Sequence, residues 1–327
     1  MSGLWYDISS APRYEAKQAK SIIHSFAVRG YSGMTINPYQ GCQHRCAYCY
    51  ATYEWSPEFC DKVYAKSNAP EVLERELQSW KGSTINPVMV ASATDAYQPA
   101  ELKYGLTRRC VQILQKYNVP YYVFTKSAII ERDLELHRRY SHNCFIIWSM
   151  TTASEKTRRI VEPGTPPAER IFAAIKKFTG AGVPCGVNVD PIMPLVTDTD
   201  EELDAVVDCC RQAGVKYVSG EMLRMRDDIW DRMKMALRLL QVPDGEGRYR
   251  ELYGITEEPL ARPYVACNEK YAKKMTSRLY EKVKSRGICP GFPDHVRPQD
   301  IDRSCTGQTT MLSFTGASSD QAATPGS

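Results

Sequence analysis

"MTINPYQGCQHRCAYCYA", residues 34–51, opens as a short apolar strand and then sets Cys42, Cys46 and Cys49 within eight residues, with Tyr48 and Tyr50 beside the last. Zinc in a structural site takes four closed ligands, usually as two CxxC-like pairs. Here no second pair lies within easy reach, although His44 sits inside the run. Iron–sulfur clusters also take four ligands. A four-iron cube held by three thiolates keeps one iron open, and an open position marks a catalytic metal centre. CxxxCxxC directly after a strand therefore points to a [4Fe–4S] cluster. The competing reading is a non-catalytic iron–sulfur or zinc protein in which the three thiols only staple a loop.

Short apolar runs alternate with helical patterns from residue 34 to about 241. Strands are expected in 34–38, 87–94, 120–126, 144–152, 185–193 and 215–223. Between them, Ile171, Ala174, Ile175 and Phe178 keep a 3.6-residue period, as do Leu203, Val206, Val207 and Cys210. "AP" at 69–70 opens one helix, and "DTDEE" at 198–202 caps another with acidic residues in its first turn. Six βα units in succession predict an α/β fold of parallel strands with right-handed crossovers, closing partly or fully into a barrel or lying in an open sheet. In either arrangement ligands sit beyond the carboxyl ends of the strands. The cysteine run lies on that face. So do Thr94, Asp95, Lys126, Ser149, Thr151, Asp190 and Glu221, at the ends of later strands.

The chain has 327 residues, 43% apolar and 24% charged, enough for a large core. Lys and Arg number 42 against 38 Asp and Glu, a net charge of +4, short of the strongly basic footprint of a dedicated nucleic-acid binder. The first twenty residues lack the apolar core of a signal peptide, and no run approaches the roughly 18 apolar residues of a membrane span, which predicts a cytoplasmic protein with no membrane partner. Twelve cysteines in a reducing compartment read as metal ligands where clustered and as small core residues where scattered. Cys110, Cys144, Cys185 and Cys210 lie on apolar faces and are expected in the core.

CxxxCxxC after the first strand of a six-unit βα series resembles the radical S-adenosylmethionine superfamily. Together with "SATDAYQPAE" (92–101), "FTKS" (124–127) and "VEPGTPPAERI" (161–171), it resembles more closely the spore photoproduct lyase-like group, over residues 34 to about 225. The resemblance implies a partial (β/α)6 barrel over 34–241, flanked by an N-terminal extension (1–33), a mostly helical and irregular C-terminal extension (242–315) and a disordered tail (316–327). It also implies that Cys42, Cys46 and Cys49 each ligate one iron while the fourth iron binds S-adenosylmethionine. An electron, from a donor such as flavodoxin or ferredoxin, then yields methionine and a 5′-deoxyadenosyl radical that takes hydrogen from substrate. Lys126 and Ser149 match residues that bind the methionine carboxylate. Thr94, Asp95, Asn188 and Asp190 are further candidates for holding the cofactor; Asn188 and Asp190 leave one face of their strand and suit a substrate pocket or a loop-capping pair. Tyr48 and Tyr50 match tyrosines of a hydrogen-atom relay, or shield the cluster. The chain departs from the group at Ala93, where the hydrogen-donating cysteine would stand.

Two features lie outside that frame. Cys267, Cys289 and Cys305 either hold an auxiliary cluster or pack independently; their spacing matches no motif, and one cluster is expected. The helix Lys270–Lys284 and Arg108, Arg109, Arg132, Arg138 and Arg139 are the basic groups a nucleic-acid partner would use, against the bland expectation of a solvated face. The substrate stays open among DNA, RNA, a peptide and a small metabolite.

Overall fold

The computed structural model describes residues 13–28, 31–52, 58–80, 87–260 and 264–293. Cys305 and the expected tail at 316–327 lie outside them. Among the described residues thirteen strands follow in chain order: β1 (Arg13–Lys17), β2 (Ile23–Val28), β3 (Tyr31–Ile36), β4 (Tyr39–Gln40), β5 (Lys62–Lys66), β6 (Val88–Val90), β7 (Tyr121–Thr125), β8 (Cys144–Ser149), β9 (Cys185–Ile192), β10 (Tyr217–Met222), β11 (Arg224–Met225), β12 (Val265–Ala266) and β13 (Cys289–Pro290). The helices are α1 (Ala69–Gln78), α2 (Ala100–Tyr104), α3 (Leu106–Lys116), α4 (Leu134–Arg138), α5 (Glu155–Val161), α6 (Ala168–Gly180), α7 (Asp200–Gln212), α8 (Asp227–Leu239), α9 (Gly245–Tyr253) and α10 (Glu269–Ser285).

All six expected strands are present, as β3, β6, β7, β8, β9 and β10, parallel and adjacent in that order. The main sheet extends beyond them at both edges. β2 pairs antiparallel with β3, and β13 adds a seventh parallel strand beside β10. A second sheet, in the order β1–β5–β4, stands next to the cysteine loop. The sequence reading placed no strand in 1–33 and none in the C-terminal extension.

Strand alternation sorts the side chains into two environments. Cys144, Ile146, Trp148, Val187 and Val189 face the helices in the main core, with the predicted stripe of α6 and that of α7 packed over them. Cys110, Cys144, Cys185 and Cys210 are all buried there. On the other face, register stacks the residues in layers. Phe124, Ile147, Gly186 and Tyr217 pair across β7 to β10. One residue pair deeper, Tyr122 faces Phe145. Phe292, just after β13, fills the space over Gly186 and lies edge-on to Phe145 with ring centroids 5.8 Å apart. These rings close the inner face from the amino ends of the strands. One layer toward the carboxyl ends the chemistry changes: Ser149 pairs with Asn188, and Asn188 with Ser219.

α10 packs Met275, Leu279 and Val283 against the sheet. One stripe of its basic residues is turned onto α7, while Lys270, Lys273, Lys274 and Lys284 are exposed. Arg278 pairs with Asp200, Lys282 with Asp200 and Asp204 at 2.7 and 2.8 Å, and Arg286 with Asp204 and Asp208 at 2.6 and 2.9 Å. Two stripes with i, i+4, i+8 spacing thus zip α10 onto α7. The five named arginines are engaged as well: Arg108 with Asp133, Arg109 with Glu71, Arg132 with Glu101, and Arg138 and Arg139 with Glu135. Among the described residues, no helix is long and apolar enough to cross a membrane.

Candidate functional site

β3 and β4 feed the cysteine loop, and its backbone path is fixed by close approaches. Gly41 has left-handed backbone with φ +88°, and a Cβ there would lie 2.1 Å from the carbonyl oxygen of Lys62. Gly164 presses from the opposite side: a Cβ would fall 2.1 Å from the carbonyl oxygen of Gln43 and 2.8 Å from His44 Cα. Its N–H donates to the His44 carbonyl at 3.0 Å, and Ala47 N–H donates to the Val161 carbonyl at 2.8 Å. "VEPG" is therefore a backbone clamp on the loop. Gln98, fully buried, braces the same turn by donating to the Gly41 carbonyl at 3.0 Å and accepting from Gln43 N–H at 3.2 Å.

Cys42 and Cys46 are buried and Cys49 half-buried. Burial pushes all three thiols up, and each of Cys42 and Cys46 also feels its neighbouring thiols. Such thiols rest protonated until a cation favours the thiolate. Among the described residues no His, Cys, Asp or Glu group is gathered as ligands for a single metal ion. A cluster spreads its thiolates further apart than one ion does.

Asp95 ties this loop to the strand ends. Its carboxylate accepts from Tyr97 N–H at 2.8 Å, Thr125 Oγ1 at 2.8 Å and Lys126 N–H at 2.6 Å, and lies 3.4 Å from His44 Nδ1. Burial pushes its pKa up, but His44 and these donors outweigh that and hold it below the usual carboxylate range. Thr94, its neighbour, has a buried hydroxyl with no partner among the described residues.

The polar layer lies beside the thiols. Lys126 Nζ donates to Glu162 Oε1 at 3.0 Å and to the Ser149 carbonyl at 3.2 Å, and sits 5.3 Å from the centre of the Tyr48 ring. The Tyr48 hydroxyl bonds Glu162 Oε1 and lies 2.9 Å from Thr151 Oγ1. Burial opposes both charges of the Lys126–Glu162 pair, yet their mutual attraction raises the lysine pKa and lowers that of the glutamate, so both stay ionised. Asn188 donates to Asp190 Oδ2 at 3.3 Å while its own carbonyl oxygen is buried with no partner among the described residues. Burial pushes Asp190 up against the pull of Lys126 and Arg224.

The structure thus brings Cys42, Cys46, Cys49, Tyr48, Lys126, Ser149, Asn188 and Asp190 to the carboxyl ends of the strands. Tyr50 is 46% exposed, and its hydroxyl donates to the Ser92 carbonyl beside Ala93, just past the carboxyl end of β6. Cys267 is buried, Cys289 lies in β13 and takes part in a disulfide, and Cys305 is outside the described residues. Glu162 was legible only as part of a tight loop and helix start in 161–171, and Gln98 only as a member of the 92–101 motif. Ser219 was overlooked, although Tyr217, Ser219 and Glu221 alternate with Val218 and Gly220.

The sequence profile of the radical SAM superfamily matches residues 36–210, more than half of the chain. The chain belongs to the radical SAM superfamily. An uncharacterised protein of Mycobacterium tuberculosis is 32% identical over 230 residues, covering 67% of this chain. The match spans 66% of that relative's own length. Among solved structures, spore photoproduct lyase complexed with dinucleoside spore photoproduct superposes with a TM-score of 0.62 at 13% identity, covering 85% of this chain and 81% of the other. A mutant of that lyase with bound AdoMet and the same dinucleoside gives 0.57 at 13% identity, covering 79% and 75%. At such identity these likenesses establish a radical SAM fold of the spore photoproduct lyase kind, the partial barrel expected from the motifs. Superfamily membership implies an iron–sulfur cluster and S-adenosylmethionine as cofactors.

Proposed function

We propose that this radical SAM protein is an enzyme whose Cys42, Cys46 and Cys49 hold a [4Fe–4S] cluster with one iron open to S-adenosylmethionine. The observation that carries the reading is the placement of three shielded thiols on a clamped loop beside a buried Lys126–Glu162 pair. The residues fit the group. Three thiols suit a cluster that keeps a position free, and the unpartnered carbonyl oxygen of Asn188 and hydroxyl of Thr94 are polar atoms awaiting a ligand. When bound and reduced, such a cluster supplies the electron that splits S-adenosylmethionine into methionine and a 5′-deoxyadenosyl radical.

The chain's own residues bind and shield. Lys126 offers a cation, and Ser149 a hydroxyl, to the methionine carboxylate; Glu162 offers an anion to the ammonium. Asp95 keeps His44 and the Lys126 backbone in place. The rings of Tyr122, Phe145, Tyr217 and Phe292 close the inner face below and exclude water, which strengthens each charge above them. Asn188, Asp190 and Ser219 line the space where a substrate would meet the radical. One electron per event comes from a low-potential donor such as flavodoxin or ferredoxin.

Two observations argue against a lesion in duplex DNA as the substrate. Ala93 brings no thiol to quench a product radical, and the five named arginines, with Arg278, Lys282 and Arg286 of α10, are paired with carboxylates of the chain itself. A smaller or more flexible substrate suits the site better. Anaerobic reconstitution tests the reading: about four irons per chain and a broad band near about 400 nm are expected. Both should vanish in the Cys42→Ala, Cys46→Ala, Cys49→Ala variant. Full iron retention by that variant would overturn the assignment.

A further inference from the structure

Beyond the last barrel strand, and outside the segment matched by the superfamily profile, α8 runs back across the cysteine loop. Arg232 reaches from it into the loop. Its Nε donates to the Ala47 carbonyl at 2.7 Å, and Nη2 donates to the Cys49 carbonyl and to Thr52 Oγ1, both at 3.0 Å. Nη1 lies 3.0 Å from Asp228, one turn earlier on the same helix. Asp228 in turn accepts from Thr52 Oγ1 at 2.5 Å, and its second oxygen is buried without a partner among the described residues. The Arg232 side chain is 15% exposed and that of Asp228 30%, so neither charge is well screened.

We propose that Arg232 and Asp228 are an opposed pair of positioning charges that sets the reduction potential of the cluster on this loop. The inference rests on the cluster proposed above. Reduction moves one electron from the low-potential donor onto the cluster, with no bond made or broken and no proton required. The centre becomes one charge more negative. A fixed cation nearby stabilises that state and raises the potential, and a fixed anion lowers it. The guanidinium cannot lose its charge, and its planar fork suits two carbonyls of one loop at once.

An anaerobic redox titration of the reconstituted protein, followed by the electron paramagnetic resonance signal of the reduced cluster without S-adenosylmethionine, separates a charge effect from mere loosening. Arg232→Gln is expected to shift the midpoint to more negative potential, Asp228→Asn to more positive potential, and Arg232→Lys to stay near the parent. Loosening of the loop would move Arg232→Gln and Asp228→Asn in the same direction, and that result overturns the inference. Asp228→Asn keeps the side chain's shape, so an unmoved or more negative midpoint in it overturns the inference even if Arg232→Gln fails to retain iron. A parent protein that binds no cluster would overturn the proposed function itself, which is a different result from a bound cluster indifferent to Asp228.

Discussion

Lys126 and Glu162 are 13% and 3% exposed, so each depends on the other to remain charged inside the protein. Removing one partner of such a pair costs roughly 3–5 kcal/mol, whereas removing both is often close to neutral. Lys126→Met should therefore lower the denaturant midpoint sharply, and Lys126→Met with Glu162→Gln should recover most of the loss. Affinity for S-adenosylmethionine, measured at equilibrium, should fall by roughly tenfold or more in both, because a charge-assisted contact disappears in each. A Lys126→Met variant as stable as the parent would show that the pair does not hold the site together. Lysine at the end of a strand was readable from the order of apolar runs and from "FTKS". Its partner was not, because Glu162 lies 36 residues away and no local pattern joins a strand end to a loop that shares only its destination. The same holds for Asp95, whose place in a motif is plain but whose four donors come from three segments.

At the scale of elements, the ladder between α7 and α10 shows how two visible stripes can be misjudged. Asp200, Asp204 and Asp208 repeat every four residues, as do Arg278, Lys282 and Arg286, and each stripe alone reads as a solvated face. Only folding sets them opposite one another. Asp200 is held down to about 2 by Arg278 and Lys282, and Asp204 and Asp208 lie below their usual range through Lys282 and Arg286. Carboxylates depressed in the folded state stabilise it fully above the unfolded pKa of about 3.9, and that contribution fades as pH falls toward the folded values. The melting temperature of the parent should thus drop more steeply between about pH 4 and 2 than that of an Asp200→Asn, Asp204→Asn, Asp208→Asn variant, with the curves converging in acid. Parallel curves would show that the ladder adds nothing. Other elements were hidden by size or by water. β4 and β13 are two residues each, too short for any period to register, and β1 is almost wholly exposed, so it carries no apolar alternation.

Taken whole, the molecule is a sheet whose inner face changes from rings to polar groups along the strands, with the cysteine loop at the polar end. Six apolar runs were enough to locate the strands of that sheet, because fully buried parallel strands announce themselves by hydrophobicity. The extension could not be placed from sequence, yet it supplies Phe292 to the inner face, Arg232's helix neighbours and the α10 clamp. The charge distribution bears on partners at this scale. With the five named arginines and one basic stripe of α10 paired to the chain's own carboxylates, the protein should bind duplex DNA weakly, and fluorescence anisotropy should show that binding vanish by physiological salt. Tight, salt-resistant binding would return DNA repair to the front. The most direct test of the whole account is chemical. Reconstituted anaerobically and given dithionite and S-adenosylmethionine, the protein should release methionine and 5′-deoxyadenosine, and the variant lacking Cys42, Cys46 and Cys49 should release neither. Undiminished 5′-deoxyadenosine from that variant, or none from a parent carrying a full cluster, would contradict it.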